Sequence, residues 1–184
     1  MADVSGHGVP AALIASMVNV AFASQSGQAG CPSAVLSGIN KALCGNLKGQ
    51  FVTAAYLYLD LCTGQMRYAA AGHPALFWFR ADGEVERIVE NGLVLGFSAN
   101  TKYTERECPI EAGDRFLLYT DGLLEAANGS GEFFGEERAQ AIFQEARKGG
   151  VADALASLVD RVTAWSSSVQ DDITLVTVGL RSLK

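Results

Sequence analysis

The 184 residues are 49% hydrophobic and 18% charged, with a formal net charge of −6. That balance can bury one sizeable core and argues against disorder, and the negative net charge argues against a nucleic-acid partner, since a phosphate backbone needs a basic face. Cys31, Cys44, Cys62 and Cys108 form no CxxC pair and have no histidine at zinc spacing, so they read as buried free thiols of a cytoplasmic protein.

The chain opens with Asp3-Val4-Ser5-Gly6-His7-Gly8. An acid followed by small residues and glycines is poor core but good site, because the carboxylate can face a cation while the glycines let backbone approach. The same stretch also reads as an N-cap loop, with Ser5 or Asp3 capping a helix that begins near Val9 or Pro10. That helix runs to about Gln25 and carries apolar residues on most faces, which predicts deep burial. Its apolar run, Val9 to Ala23, is short for a membrane span and has no basic segment before it, so neither anchor nor signal peptide is expected.

After a break at Gly27 to Gly30, Pro32 to Leu47 forms a second helix with one stripe of Val35, Leu36, Ile39, Leu43 and Leu47. Phe51 to Leu61 and Gln65 to Ala71 are strands of a hairpin turned at Thr63-Gly64. Gly72-His73-Pro74 interrupts the pattern. Ala75 to Arg80 and Glu84 to Val89 form a second hairpin, and Gly92 to Phe97 is a loop or short strand. Tyr103 to Cys108 is a strand with one wet face, and Glu111 to Asp114 is a turn. Arg115 to Thr120 is a strand that runs into Asp121-Gly122. A short helix follows at Leu123 to Ala127, then a polar loop at Asn128 to Phe134. Gly135 to Arg147 and Val151 to Trp165 are amphipathic helices. Val169 to Asp172 is short and acidic, and Ile173 to Leu180 is the last strand. This order predicts an α+β fold, with two stacked, mainly antiparallel sheets and helices on their outer faces.

Asp3, Asp121 and the Asp171-Asp172 pair each lie beside an apolar element that can aim a side chain. A plain turn also accounts for Asp121-Gly122, and a solvated strand flank for Asp171-Asp172. Acids converging at strand ends repel one another unless a cation sits among them, and oxygen-only ligands favour Mg²⁺ or Mn²⁺ over zinc. The residues by themselves lead to a hard-metal phosphoryl or acyl hydrolase.

Asp3-Val-Ser-Gly-His-Gly8, Ala71-Gly-His-Pro74, Gly92-Leu-Val-Leu-Gly96, Tyr119-Thr-Asp-Gly-Leu-Leu-Glu125 and Asp171-Asp-Ile-Thr174 occur in that order. Together they resemble the bacterial PPM-type metal-dependent serine/threonine phosphatases of the SpoIIE/RsbU branch, over essentially the whole chain. The resemblance implies a four-layer α-β-β-α sandwich, and one PPM-type domain over residues 1–184. It also implies a centre of two Mn²⁺ or Mg²⁺ ions that activate water to attack phosphorus. Asp3 matches the aspartate bridging both ions, and Val4 the position whose carbonyl reaches a metal through water. Asp121 and Asp171 match further ligands of the first metal, and Asp172 a neighbour that holds the loop. Asp3, Asp121 and Asp171 are then expected to converge at one end of the sandwich.

Two departures qualify the match. The family carries one or two strands before the Asp3 motif, with a Gly-Asp acid for the second metal. The resemblance therefore implies a domain truncated at its N-terminus, with missing strands, an incomplete second metal site and weak activity. Eukaryotic relatives place a general-acid histidine two residues after the bridging aspartate. Ser5 stands there, so that role does not pass to His7, which reads as loop-shaping; His73 reads as a structural hydrogen-bonder.

The function implied is hydrolysis of phosphoserine or phosphothreonine on a regulatory protein, an anti-sigma-factor antagonist, with Asp3, Asp121 and Asp171 as the catalytic residues. Expected partners are that phosphoprotein, an upstream sensory or receiver domain, and a second copy of the chain as a homodimer. Neither membrane nor nucleic acid is expected. The alternative is a catalytically weak phosphatase-like module that regulates or sequesters its partner. A third reading, hydrolysis of a small phosphoester, finds no nucleotide-binding glycine loop to support it.

Overall fold

The computed structural model describes residues 1–145, 149–167 and 171–181. The chain forms two units, Met1–His73 with Val89–Ile110, and Pro74–Ile88 with Glu111–Lys184.

In the first unit the organising piece is a hairpin. Val52–Asp60 (β2) and Gln65–Ala71 (β3) pair antiparallel, from Asp60↔Gln65 to Ala55↔Ala70. Asp60 accepts the Cys62 and Thr63 amides at 3.0 and 3.2 Å, and Gly64 takes the left-handed φ of 65° that the turn needs. Ala2–Val4 (β1) pairs with the free side of β2. Asn91–Gly92 (β6, parallel) and Arg106–Pro109 (β7, antiparallel) share the far side of β3. Gly8–Ala23 (α1) and Pro32–Leu43 (α2) cover one face. The stripe on α2 packs with Val52, Ala54, Ala69 and Ala71.

The second unit repeats the principle. Leu76–Phe79 (β4), Val85–Ile88 (β5), Arg115–Tyr119 (β8) and Leu175–Gly179 (β9) form an antiparallel sheet in the order β5-β4-β8-β9. A short helix, Gly122–Glu125 (α3), follows β8, and Gly135–Glu145 (α4) and Val151–Trp165 (α5) complete the unit. Phe77, Phe79, Leu117 and Tyr119 meet Ile142, Phe143, Leu158 and Val162 on one face. The Phe77–Tyr119 and Phe79–Phe143 rings lie 5.3 and 4.6 Å apart, within the range where aromatic pairs add to simple burial. Leu76, Trp78, Phe116 and Leu118, on the opposite face, are buried as well. The α+β class with two mainly antiparallel sheets and flanking helices is therefore what the chain adopts.

Three expectations need correction. The first helix starts at Gly8 and buries only Ile14 and Ala21, while Val9, Leu13 and Val20 stand 62–74% exposed. Apolar residues on all sides show that a helix tolerates burial, but within its own unit α1 meets α2 and β1 on one side. The second helix ends at Leu43, because Cys44 leaves helical geometry and Gly45 turns left-handed at φ 82°. The cysteines are free, but three are half-buried and Cys62 is exposed. The predicted end of the Gly135 helix and the start of the Val169 stretch include residues outside those described.

The start of α2 is held from a distance. Its N-cap residue, Cys31, makes no capping bond of its own kind. Instead Glu105 accepts the Ser33 amide at 2.9 Å and the Cys31 thiol at 3.5 Å. Burial raises the Glu105 carboxyl pKa, but the Ser33 and Cys31 bonds and the charge of Arg67 outweigh that and leave it below its usual value. A depressed native pKa contributes stability above the unfolded value, about 4.3, and that stability is lost as pH falls through the native value. Glu105→Gln is therefore expected to cost about 1 kcal/mol at neutral pH after allowance for solvent screening, or roughly 2–4 °C in Tm. Thermal melts of both proteins from pH 7 to pH 3 check this: the gap narrows below pH 4, and a gap independent of pH refutes the assignment.

Candidate functional site

The Asp3 motif sits at the edge of the first sheet. Ser5 donates its amide to the Phe51 carbonyl at 3.0 Å, and the Ser5 hydroxyl accepts the Phe51 amide at 2.9 Å. Ser5 therefore extends the pairing with β2 and does not cap α1. The N-cap position is His7, with no side-chain capping bond. Gly6 and Gly8 are left-handed, at φ 85° and 77°. A Cβ at Gly6 would lie 2.6 Å from Gln50 Nε2, the atom that holds the Ser5 carbonyl at 2.9 Å. The loop is glycine-rich because the backbone turns against Gln50 there. A groove of about 670 Å³, lined by Leu47, Lys48, Gln50, Phe51, Val94 and Phe97 among others, opens beside it.

Antiparallel pairs alternate between hydrogen-bonded and non-bonded. Met1 and Ala55 exchange both bonds, so Asp3↔Thr53 is a bonded pair and Val4↔Val52 a non-bonded one. The Val4 carbonyl thus points away from β2, along the strand that ends the sheet. Val4 packs against the helix-side core with Val52, which puts Asp3 and Thr53 on the other face.

In the second unit, Asp121 and Asp171-Asp172 are brought together. Thr120 is the agent. Its amide donates to the Thr174 carbonyl at 3.1 Å, its hydroxyl donates to the Asp172 carbonyl at 3.0 Å, and that same oxygen accepts the Thr174 amide at 2.9 Å. Gly122 allows the approach: a Cβ there would lie 2.6 Å from the Asp172 carbonyl oxygen and 3.4 Å from that of Asp171. Asp171 Oδ1 accepts the Asp172 amide at 2.8 Å, which fixes its carboxylate.

Asp121 precedes α3 but its side chain does not cap it. Its Oδ1 is cut off from solvent and has no hydrogen-bond partner among the described residues. A carboxylate oxygen in that condition is one that a cation can satisfy. None of the ion pairs among the described residues involves Asp121, Asp171 or Asp172. The donors are all oxygens, which suits Mg²⁺ or Mn²⁺. Among the described residues no three His, Cys, Asp or Glu side chains are gathered closely enough to form a metal-holding group.

Thr120 and Thr53 escaped the sequence reading. Thr120 lies inside the Tyr119 to Glu125 motif but carries no role there, Thr53 counts only as a β-forming residue, and a hydroxyl gives no pattern to find. Thr120→Val removes both side-chain bonds at a site only 4% exposed. It is expected to destabilise the protein by about 1–3 kcal/mol, measured by urea denaturation, and Gly122→Ala to do at least as much; wild-type stability in both would show that the 171–172 backbone is held by other means.

No helix of the described residues is long and apolar enough to cross a membrane. The profile of the SpoIIE family, Stage II sporulation protein E, matches residues 1–181. The phosphoserine phosphatase RsbU of Bacillus subtilis is 30% identical over 179 residues, 96% of this chain and 53% of the relative. The chain thus spans about half the length of that curated relative. The SiaA-PP2C domain of Pseudomonas aeruginosa superposes with a TM-score of 0.86 at 24% identity, over 97% of this chain and 74% of that one. The catalytic domain of the serine threonine protein phosphatase PstP, solved in complex with 2 manganese ions, gives a TM-score of 0.71 at 17% identity, over 98% of this chain and 86% of that one. These two structural likenesses establish the fold. With the family profile covering nearly every residue, the chain belongs to the SpoIIE family.

Proposed function

We propose that this chain is the catalytic part of a metal-dependent phosphatase that removes phosphate from phosphoserine or phosphothreonine on a regulatory protein, an antagonist of an anti-sigma factor. The observation that carries the reading is the buried, partnerless Oδ1 of Asp121 beside the Asp171-Asp172 strand end. The name of the RsbU relative supports the phosphoserine substrate class, and the 2 manganese ions of PstP support the metal.

In this reading Asp121 and Asp171 of the second unit are metal ligands, with Mn²⁺ or Mg²⁺ as the ion. Asp3 and the Val4 carbonyl serve the same role from the first unit. Such an ion, when bound, polarises phosphate oxygens and makes water a stronger nucleophile. The chain's own residues supply placement. Thr120 and Gly122 fix where the Asp171 carboxylate begins, and the Asp172 amide orients it. Asp172 acts through that amide, as the holder of the loop. The Ser5 and Gln50 bonds hold the glycine loop that follows Asp3. An upstream signalling domain and a homodimer belong to the same proposal.

Turnover of a phosphoserine protein and of p-nitrophenyl phosphate across a Mn²⁺ titration tests the reading. Weak activity is expected, visible only at high Mn²⁺, and Asp121→Asn is expected to lower it roughly 100-fold or more, at or beyond the upper end of what outer-shell changes cost. Full activity in Asp121→Asn removes the metal assignment. A wild-type chain that binds its phosphoprotein without turnover at saturating Mn²⁺ makes the sequestering module the better reading.

A further inference from the structure

We propose that His73 and Thr53 form a positioning relay for Asp3, in which His73 Nδ1–H donates to Thr53 Oγ1 and the Thr53 hydroxyl presents its proton to the Asp3 carboxylate. This rests on the reading of Asp3 as a metal ligand and adds two positioning residues to it.

Thr53 Oγ1 and His73 Nδ1 are 2.9 Å apart. Thr53 is the direct cross-strand partner of Asp3. In a hydrogen-bonded antiparallel pair the facing Cα atoms are about 5.5 Å apart, and both side chains stand on one face. Asp3 and Thr53 share the face away from α1 and α2, so register sets the threonine at the position facing the aspartate.

Strand alternation would send residue 73 to the same side as Ala71, which lies in the helix-side core. Gly72 prevents this with a left-handed φ of 64°. Its backbone is pressed against β6 and the segment after it: the Gly72 amide donates to the Gly92 carbonyl at 2.9 Å, and a Cβ would lie 2.4 Å from Val94 Cγ1. His73 is then pinned, 3% exposed, with its carbonyl accepting Asn91 Nδ2 at 2.8 Å. The Ala-Gly-His-Pro stretch is thus a device for placing an imidazole behind Thr53.

The hydroxyl has one proton to give. If it went to Nδ1, a lone pair of Oγ1 would face an acceptor-only carboxylate. With the proton on Nδ1, Oγ1 accepts from the ring and its own proton is left for Asp3. A ligating carboxylate held by an outer hydrogen bond keeps its orientation when the ion arrives, and loss of such a partner costs about 10–100-fold in metal affinity or activity.

The test is calorimetric titration of the 184-residue chain with Mn²⁺, alongside its Tm and without substrate. Thr53→Val and His73→Leu remove the relay, whereas Thr53→Ser keeps the hydroxyl and His73→Asn keeps a donor near the place of Nδ1. Expected are at least about tenfold weaker Mn²⁺ binding in the first two and less than about threefold change in the second two. Asp3→Asn is the control. If Asp3→Asn binds Mn²⁺ like the wild type, Asp3 is not a ligand and the reading beneath the relay falls. If Asp3→Asn loses binding while Thr53→Val and His73→Leu retain it, the relay alone is overturned. Equal weakening in all four variants with lowered Tm assigns these residues to folding only and also overturns it. Should Thr53→Val fail to fold, the His73→Leu and His73→Asn pair decides.

Discussion

The Thr120 hydroxyl is the contact on which the acidic end of the second unit depends. One oxygen both donates to the Asp172 carbonyl and accepts the Thr174 amide, so the last turn before β9 is tied to the end of β8. Backbone groups there gain partners they would otherwise take from water, and the tie is shielded because Thr120 is buried. Gly122 completes it by leaving room for the Asp171 and Asp172 carbonyls. Two stretches far apart in the chain, each carrying an acid, then lie side by side. The buried oxygen of Asp121 is a consequence of this closure.

The first unit solves a related problem with glycines. β1 has three residues and lies at the end of its sheet, so it has little pairing of its own to hold it. Ser5 lengthens the ladder by one more pair, and Gln50 clamps the turn that follows. At the same end of β2, the Gly72 turn sends His73 to the face that carries Asp3. In both units a threonine or a glycine fixes where a neighbouring polar residue stands. Glu105 does the same for α2, reaching across the unit to satisfy an amide that the helix's own N-cap residue leaves open.

By itself the sequence determined the strands and helices nearly throughout, because alternation over β2 and β3 and the stripe on α2 are periodic signals that local geometry must obey. It also singled out the acids, since Asp3, Asp121 and Asp171 stand at strand or helix ends in motifs carried in a recognisable order. It misjudged α1, whose apolar composition does not bring burial, and of its two readings of the Asp3 stretch the N-cap loop does not hold, since Ser5 extends the strand. Only the tertiary structure decided which distant residues meet. Thr120 meets Asp172, Thr53 meets His73, and Glu105 meets Ser33 across separations that leave no local pattern. Such contacts depend on register and on where a left-handed glycine redirects the chain, and both are set when sheets assemble rather than by any stretch of residues alone.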